Sequence, residues 1–185
     1  MRCHNQRGFS LIEVLVSVSL LSVGVAAVAQ LASLSARASA AAQQADVTRT
    51  AAREKLDQLR ALTFGTEDGV LPVTDVGADL SVTPAVARGG AGLGVSPGEA
   101  LLSNVEGYCD FLDATGQWMA GGSRPPRGAV WVRRWSIQAM NGLADTLLLQ
   151  VVVVPAQVVG MEATEAAARA ANAAWLVDIR TRSVR

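Results

Sequence analysis

Gly94-Val95-Ser96-Pro97-Gly98 has the G-x-S-x-G spacing of a serine nucleophile elbow. That chemistry requires a strand before the serine, a helix after it and an imidazole base. The stretch lies instead in a glycine-rich loop, and the single histidine, His4, sits in the extreme N-terminal stretch. An esterase-type site is rejected on those grounds, and no enzyme is expected. Gly89 to Gly94 lack the strand–helix context of a phosphate-binding loop. Asp75, Asp79, Asp110 and Asp113 lack the spacing of a calcium-binding EF-hand and read as solvated loop acids. Arg133 falls between Trp131 and Trp135 on one strand face. Stacking of its guanidinium on indole would be worth about 0.5–2 kcal/mol. It reads as an internal strut, while Arg134, on the side of Val130 and Val132, needs an exposed or paired head group. No cofactor and no small-molecule substrate are expected.

One other residue stands out chemically. Glu13 is the only charged side chain between Phe9 and Ala36. The 23 residues from Val14 to Ala36 carry no charge and as a helix would span roughly 35 Å, enough for a hydrocarbon core of about 30 Å. Arg2 and Arg7 precede the segment, which keeps the N-terminus on the cytoplasmic side and sends the rest of the chain across the membrane. An ordinary secretory signal cut after Ala29, in Ala27-Val28-Ala29, accounts for the apolar run. A plain uncleaved anchor does so too. Neither gains anything from a carboxylate, which costs on the order of 2.5–3.5 kcal/mol at the centre of a membrane helix and less near its end.

Gly8-Phe9-Ser10-Leu11-Ile12-Glu13-Val14-Leu15-Val16 resembles the class III signal of type IV pilins and of the pseudopilins of type II secretion systems. The resemblance implies a basic leader ending at Gly8, cleavage by a membrane prepilin peptidase between Gly8 and Phe9, and N-methylation of Phe9. It also makes Glu13 the family's assembly carboxylate. In a stack of such helices Glu13 of one subunit meets the Phe9 amine of its neighbour, and such a pair is far stronger in a low-dielectric site than in water. Leaving either charge unpaired there is costly, so the pair would enforce register and partner choice. Removal of the leader would also take away His4 and Cys3, leaving no His/Cys metal site and no intrachain disulfide for Cys109.

The elements that must position these residues follow from periodicity. No proline occurs before Pro72, and Gly24 is the one glycine between Phe9 and Phe64. Phe9 to about Leu62 is therefore expected as one helix. Ala45, Ala52, Leu56, Leu59 and Leu62 form an apolar stripe along its second half, which must pack on something. A free coiled-coil stalk is disfavoured by too few, too alanine-rich heptads. Small residues among Ser17, Ser19, Ser22, Gly24, Ala26 and Ala27 suit close helix packing in lipid, and Gly24 marks a weak point in the helix.

Gly65 to Gly128 holds 13 of the 17 glycines and five of the six prolines and reads mostly as loop. Within it, EGYCDFLDATGQW reads as two short strands around a turn at Asp113–Gly116. Ala129–Met140 and Asp145–Pro155 are the strongest strand signals, joined by a hairpin turn at Asn141-Gly142. The second is nearly all apolar and is expected to be central or buried on both faces. MEATEAAARAANAA reads as a helix and AAWLVDIRTRSV as a last strand.

The expected fold class is α+β and pilin-like: a long N-terminal helix, membrane-spanning in its first half, whose second half packs on a small antiparallel sheet. The expected organisation is a leader over 1–8, a transmembrane half-helix over 9–36, an amphipathic half over 37–62 and a globular head over 63–185. Beyond Gly8 the chain has 14 basic (16 minus Arg2 and Arg7) and 16 acidic side chains, which does not suit nucleic-acid binding. The resemblance implies a single-pass inner-membrane precursor with its head in the periplasm, later part of a pilus or pseudopilus. Its partners would be other pilin subunits, the prepilin peptidase and the inner membrane. The VRRWSI strand is similar to minor pilins of the PilV type. The alternatives are a type II secretion pseudopilin and a secreted soluble binding protein cut after Ala29.

Overall fold

The computed structural model describes residues 10–67, 71–143, 145–158, 160, 164–166 and 173–184. Among the described residues a long helix, α1 (Leu11–Ala61), comes first. Eight strands follow among the described residues: β1 (Phe64–Glu67), β2 (Leu71–Thr74), β3 (Cys109–Leu112), β4 (Trp118–Gly121), β5 (Trp131–Ala139), β6 (Thr146–Pro155), β7 (Ala174–Thr181) and β8 (Ser183–Val184). Five of them form an antiparallel sheet in the order β4-β3-β5-β6-β7. The remaining three form a small sheet, β2-β1-β8, in which β1 and β8 run parallel. This is the α+β pilin-like architecture. The chain divides into two compact units, Met1–Ala40 and Ala41–Arg185.

In the first unit the helix continues unbroken through Gly24. Its large apolar side chains, from Leu11 to Leu34, are exposed. The most apolar 18-residue window has a mean hydropathy of 2.3, so α1 is long and apolar enough to cross a membrane. Four of its serines bond back within the helix: Ser17 donates to the Glu13 carbonyl at 2.7 Å, and Ser19 to Leu15, Ser22 to Ser19 and Ser33 to Gln30 each at 2.8 Å. Such back-bonding removes the need for water at those hydroxyls.

In the second unit the apolar stripe of α1 is buried. Ala45, Ala51, Ala52, Leu56 and Leu59 are inaccessible, and Leu62 packs at the margin. All but Ala45 join the core on one face of the large sheet, built from Trp131, Trp135 and Ile137 on β5 and from Leu149, Val151 and Val153 on β6. Burying each such large side chain contributes about 1.5–3 kcal/mol. The other face has its own smaller core of Cys109, Phe111, Val132, Val152 and Val154, covered by Leu101 and Ala173. β6 is thus buried on both sides, as its continuous apolar run requires. The helix ends where Arg180 donates to the carbonyls of Leu59 (2.8 Å) and Leu62 (2.5 Å), two of the groups that a helix C-terminus leaves unpaired.

The expected hairpin is present. β5 and β6 pair from Ala139↔Leu147 to Trp131↔Pro155, and Gly142 takes φ 83° at the turn, where a residue with a side chain would be strained. The turn between β3 and β4 is built on Asp113, whose carboxylate accepts from the Thr115 and Gln117 amides. The last strand differs from expectation: it breaks at Arg182, and β8 leaves the large sheet to pair with β1. Of the expected MEATEAAARAANAA helix, 164–166 are helical, and most of that segment lies outside the described residues.

Two further expectations are corrected inside the core. Asp110 is not a solvated loop acid but a fully buried residue of β3. Arg133, its cross-strand neighbour, grips it with two parallel bonds of 2.9 and 2.8 Å and donates a third to the Ala51 carbonyl of α1 at 2.9 Å. Lys55 reaches the same carboxylate at 2.9 Å and the Leu80 carbonyl at 2.5 Å. The cation over the Trp135 ring, 4.4 Å from its centre, is Lys55 and not Arg133. Arg133 is a strut, as its place between two tryptophans suggests, but it works through a carboxylate. Arg134, on the opposite face, is buried and paired with Asn104 (2.9 Å), Thr164 (3.3 Å) and the Val158 carbonyl.

Candidate assembly site

The described chain begins at Ser10, and Gly8 and Phe9 lie outside the described residues. Glu13 stands in the first turn of α1. Its backbone N–H and that of Val14 both donate to the Ser10 carbonyl, at 3.0 and 3.2 Å, which starts the helix within five residues of Gly8. A carboxylate in a first helical turn is favoured by the exposed N–H groups there. The Glu13 side chain is exposed, and among the described residues nothing hydrogen-bonds to its carboxylate. Its neighbours on the helix, Leu11, Ile12, Val14, Leu15 and Val16, are exposed apolar side chains. The turn therefore offers one acidic group at the head of an apolar cylinder. What that arrangement can do chemically is bind a cation, and in a lipid environment it would do so selectively, since an unpaired charge there is expensive.

The other sequence-level candidates are accounted for by packing. Ser96 is buried, and its hydroxyl bonds to the Ser136 hydroxyl at 3.1 Å and to the Ile137 carbonyl and amide at 3.2 and 3.0 Å. It ties a loop to β5 and is not poised to attack anything. Asp75 and Asp79 accept from nearby backbone amides and shape their own loops. Cys109 is free and buried, and its thiol donates to the Gly122 carbonyl at 3.1 Å. Burial, with Asp110 adjacent, pushes that thiol up to about 11.

Sequence reasoning missed Lys55 and Asp110. The signal was present: Lys55, the only lysine, occupies the buried stripe between Ala52 and Leu56, and Asp110 interrupts an otherwise apolar Cys109–Leu112. Burial pulls the Lys55 ammonium down to about 8, even with Asp110 opposing the shift.

Comparison with known families agrees with this geometry. Residues 3–29 match the prokaryotic N-terminal methylation motif, which is characteristic of type IV pilins and pseudopilins. No curated protein and no solved structure matches the chain. The N-terminal segment therefore carries the signature of a pilin-like precursor processed by prepilin peptidase, and it stands on a chain with pilin-like architecture.

Proposed function

We propose that this protein is a minor pilin of the PilV type, a structural subunit of a type IV filament and a substrate of enzymes rather than an enzyme. Residues 1–8 are the leader, 9–36 the membrane-spanning half-helix, 37–62 the amphipathic half and 63–185 the head. The precursor sits in the inner membrane with its head in the periplasm. Prepilin peptidase cuts between Gly8 and Phe9, Phe9 is methylated, and Glu13 pairs with the Phe9 amine of a neighbouring subunit as the filament grows. The observation that carries this reading is the methylation motif over residues 3–29, placed at the start of an exposed apolar helix with one acidic group in its first turn.

Mass spectrometry of the protein from cells tests it directly. The expected mature chain starts at methylated Phe9, and Gly8→Leu leaves the precursor uncut because the peptidase accepts glycine there. A chain starting at Gln30 would instead establish an ordinary secretory signal. A pseudopilin would pass the same processing test, and localisation separates it: the protein is expected in sheared pilus fractions and not in a secretion complex.

A further inference from the structure

The outer edge of the five-stranded sheet also presents chemistry without a described partner. β7 ends the strand order. Its register with β6 runs without a bulge from Thr146↔Thr181 to Val153↔Ala174. The register extends one residue further, where the Arg182 N–H donates to the Asp145 carbonyl at 2.9 Å. In an antiparallel ladder, alternate residues exchange hydrogen bonds with the partner strand, and those between them turn their N–H and C=O groups away. Arg182 sets the phase. Ala174, Leu176, Asp178 and Arg180 bond to β6, whereas Trp175, Val177, Ile179 and Thr181 direct their backbone groups outward. Ile179 N–H is engaged by the Asp178 carboxylate, and no described strand pairs with this edge.

The same residues carry exposed apolar side chains. Trp175 is 37%, Val177 55% and Ile179 58% exposed. The alternate side chains face the helix: Asp178 accepts from Arg60 at 2.8 Å, and Arg180 caps α1. Proteins usually blunt free edges with short strands, bulges, prolines or lysines. The opposite edge obeys that rule. β4 has four residues, its pairing shifts between Phe111 and Leu112, and Pro125 and Pro126 follow. β7 has eight residues and no proline, glycine, lysine or bulge, and its two charges, Asp178 and Arg180, are tied to α1.

A row of outward amides and carbonyls is complementary to another extended backbone, which a partner lying on the apolar face alone would not satisfy. A second copy of β7 fits poorly. Outward-facing residues must oppose outward-facing residues, and the two longest such antiparallel registers set Asp178 opposite its own copy or opposite Leu176. We propose that β7 is an acceptor edge for a strand donated by a different polypeptide, one with apolar side chains at every second position to lie beside Trp175, Val177 and Ile179. This inference does not depend on the pilin reading.

Residue-resolved amide exchange on the full chain in detergent micelles tests it, with a synthetic eight-residue peptide alternating valine and threonine as the probe. Without peptide, the Trp175, Val177 and Thr181 amides should exchange fast while Leu176, Asp178 and Arg180 are protected. At about 1 mM peptide the outward amides should slow roughly tenfold. Val177→Pro removes one outward N–H that β6 does not use, and should weaken the peptide by roughly tenfold, on the scale of one lost hydrogen bond. Retained protection at Leu176 and Asp178 shows that β7 still pairs in that variant. If it does not, Val177→Lys keeps every backbone donor and tests the apolar stripe, with weaker binding expected. Outward amides already protected in the free monomer, no slowing at about 1 mM, or unweakened binding to Val177→Pro with β7 intact would overturn the proposal. Protection that grows with protein concentration alone would overturn it in favour of a second copy.

Discussion

Lys55, Asp110 and Arg133 show how unequal the members of one buried cluster can be. Asp110 is the common anion of two buried cations, so Asp110→Asn leaves both without a full partner and should cost about 3–5 kcal/mol. Lys55→Met removes one cation and leaves the two-bond Arg133–Asp110 pair in place, so it should cost no more than about 1 kcal/mol. Urea denaturation followed by tryptophan fluorescence separates the two, since Trp135 lies against the cluster. The pH dependence follows from the same burial. Lys55 titrates near 8 in the folded chain against 10.5 when free, so between those values the unfolded chain binds more protons. Stability should therefore rise as pH passes upward through 8. Cys109 works in the opposite sense. Its thiol is raised from 9.0 to about 11, so its contribution is complete below pH 9 and is lost as pH rises towards 11. The Lys55 effect is thus cleanest between about pH 8 and 9, or in Cys109→Ala, and it should vanish in Lys55→Met. The native thiol should also resist iodoacetamide and form no disulfide dimer, whereas urea-unfolded protein alkylates at once; labelling measured by mass settles it.

At the scale of elements, α1 has one hydrogen-bonding ladder and two kinds of surface. Leu59 is fully buried against the sheet, and Leu34 is 60% exposed. Leu59→Ala should destabilise the head by about 2–4 kcal/mol through the cavity it leaves. Leu34→Ala should leave the urea midpoint of the head unchanged, because Leu34 is exposed and is not part of the buried core. This division was legible in the sequence. The stripe through Ala45, Ala52, Leu56 and Leu59 has helical period, and the run before it, without charge from Val14 to Ala36, leaves its large apolar side chains exposed. The β5–β6 hairpin was legible too, because β-branched runs and an Asn-Gly turn are local signals. What sequence could not supply was pairing between distant residues. Asp110 looked like a loop acid because its partners are 55 residues earlier in chain order (Lys55) and 23 later (Arg133). β8 could not be assigned to the small sheet because its partner, β1, lies at the other end of the head's sequence. The residues proposed for processing and assembly were readable for the opposite reason. Gly8, Phe9 and Glu13 fall within the linear methylation motif matched over residues 3–29, and a linear motif carries its information in spacing that no fold is needed to assemble.

At the scale of the whole molecule, the head and the N-terminal segment place separable demands on the chain, and Glu13 tests whether the second demand is electrostatic. Its carboxylate has no described partner in the isolated subunit, so removing the charge should not disturb the head. On the proposed reading cleavage is directed by Gly8 and the leader, so it should tolerate a neutral side chain at position 13. Membrane insertion should improve slightly, because a charge leaves the apolar span. Assembly should suffer, since the Phe9 amine of a neighbouring subunit would lose its counter-charge in a low-dielectric site. Glu13→Gln isolates that term by keeping the length and hydrogen-bonding capacity of the side chain. The variant is expected to be processed, methylated and anchored like the wild type, with the same urea midpoint for its head, yet largely absent from sheared filaments. A subunit at the very tip has no neighbour ahead of it, so low residual incorporation at filament ends fits the same account. Normal incorporation along the shaft, quantified by immunoblot of sheared fractions against the membrane pool, would show that charge pairing is not what this carboxylate is for.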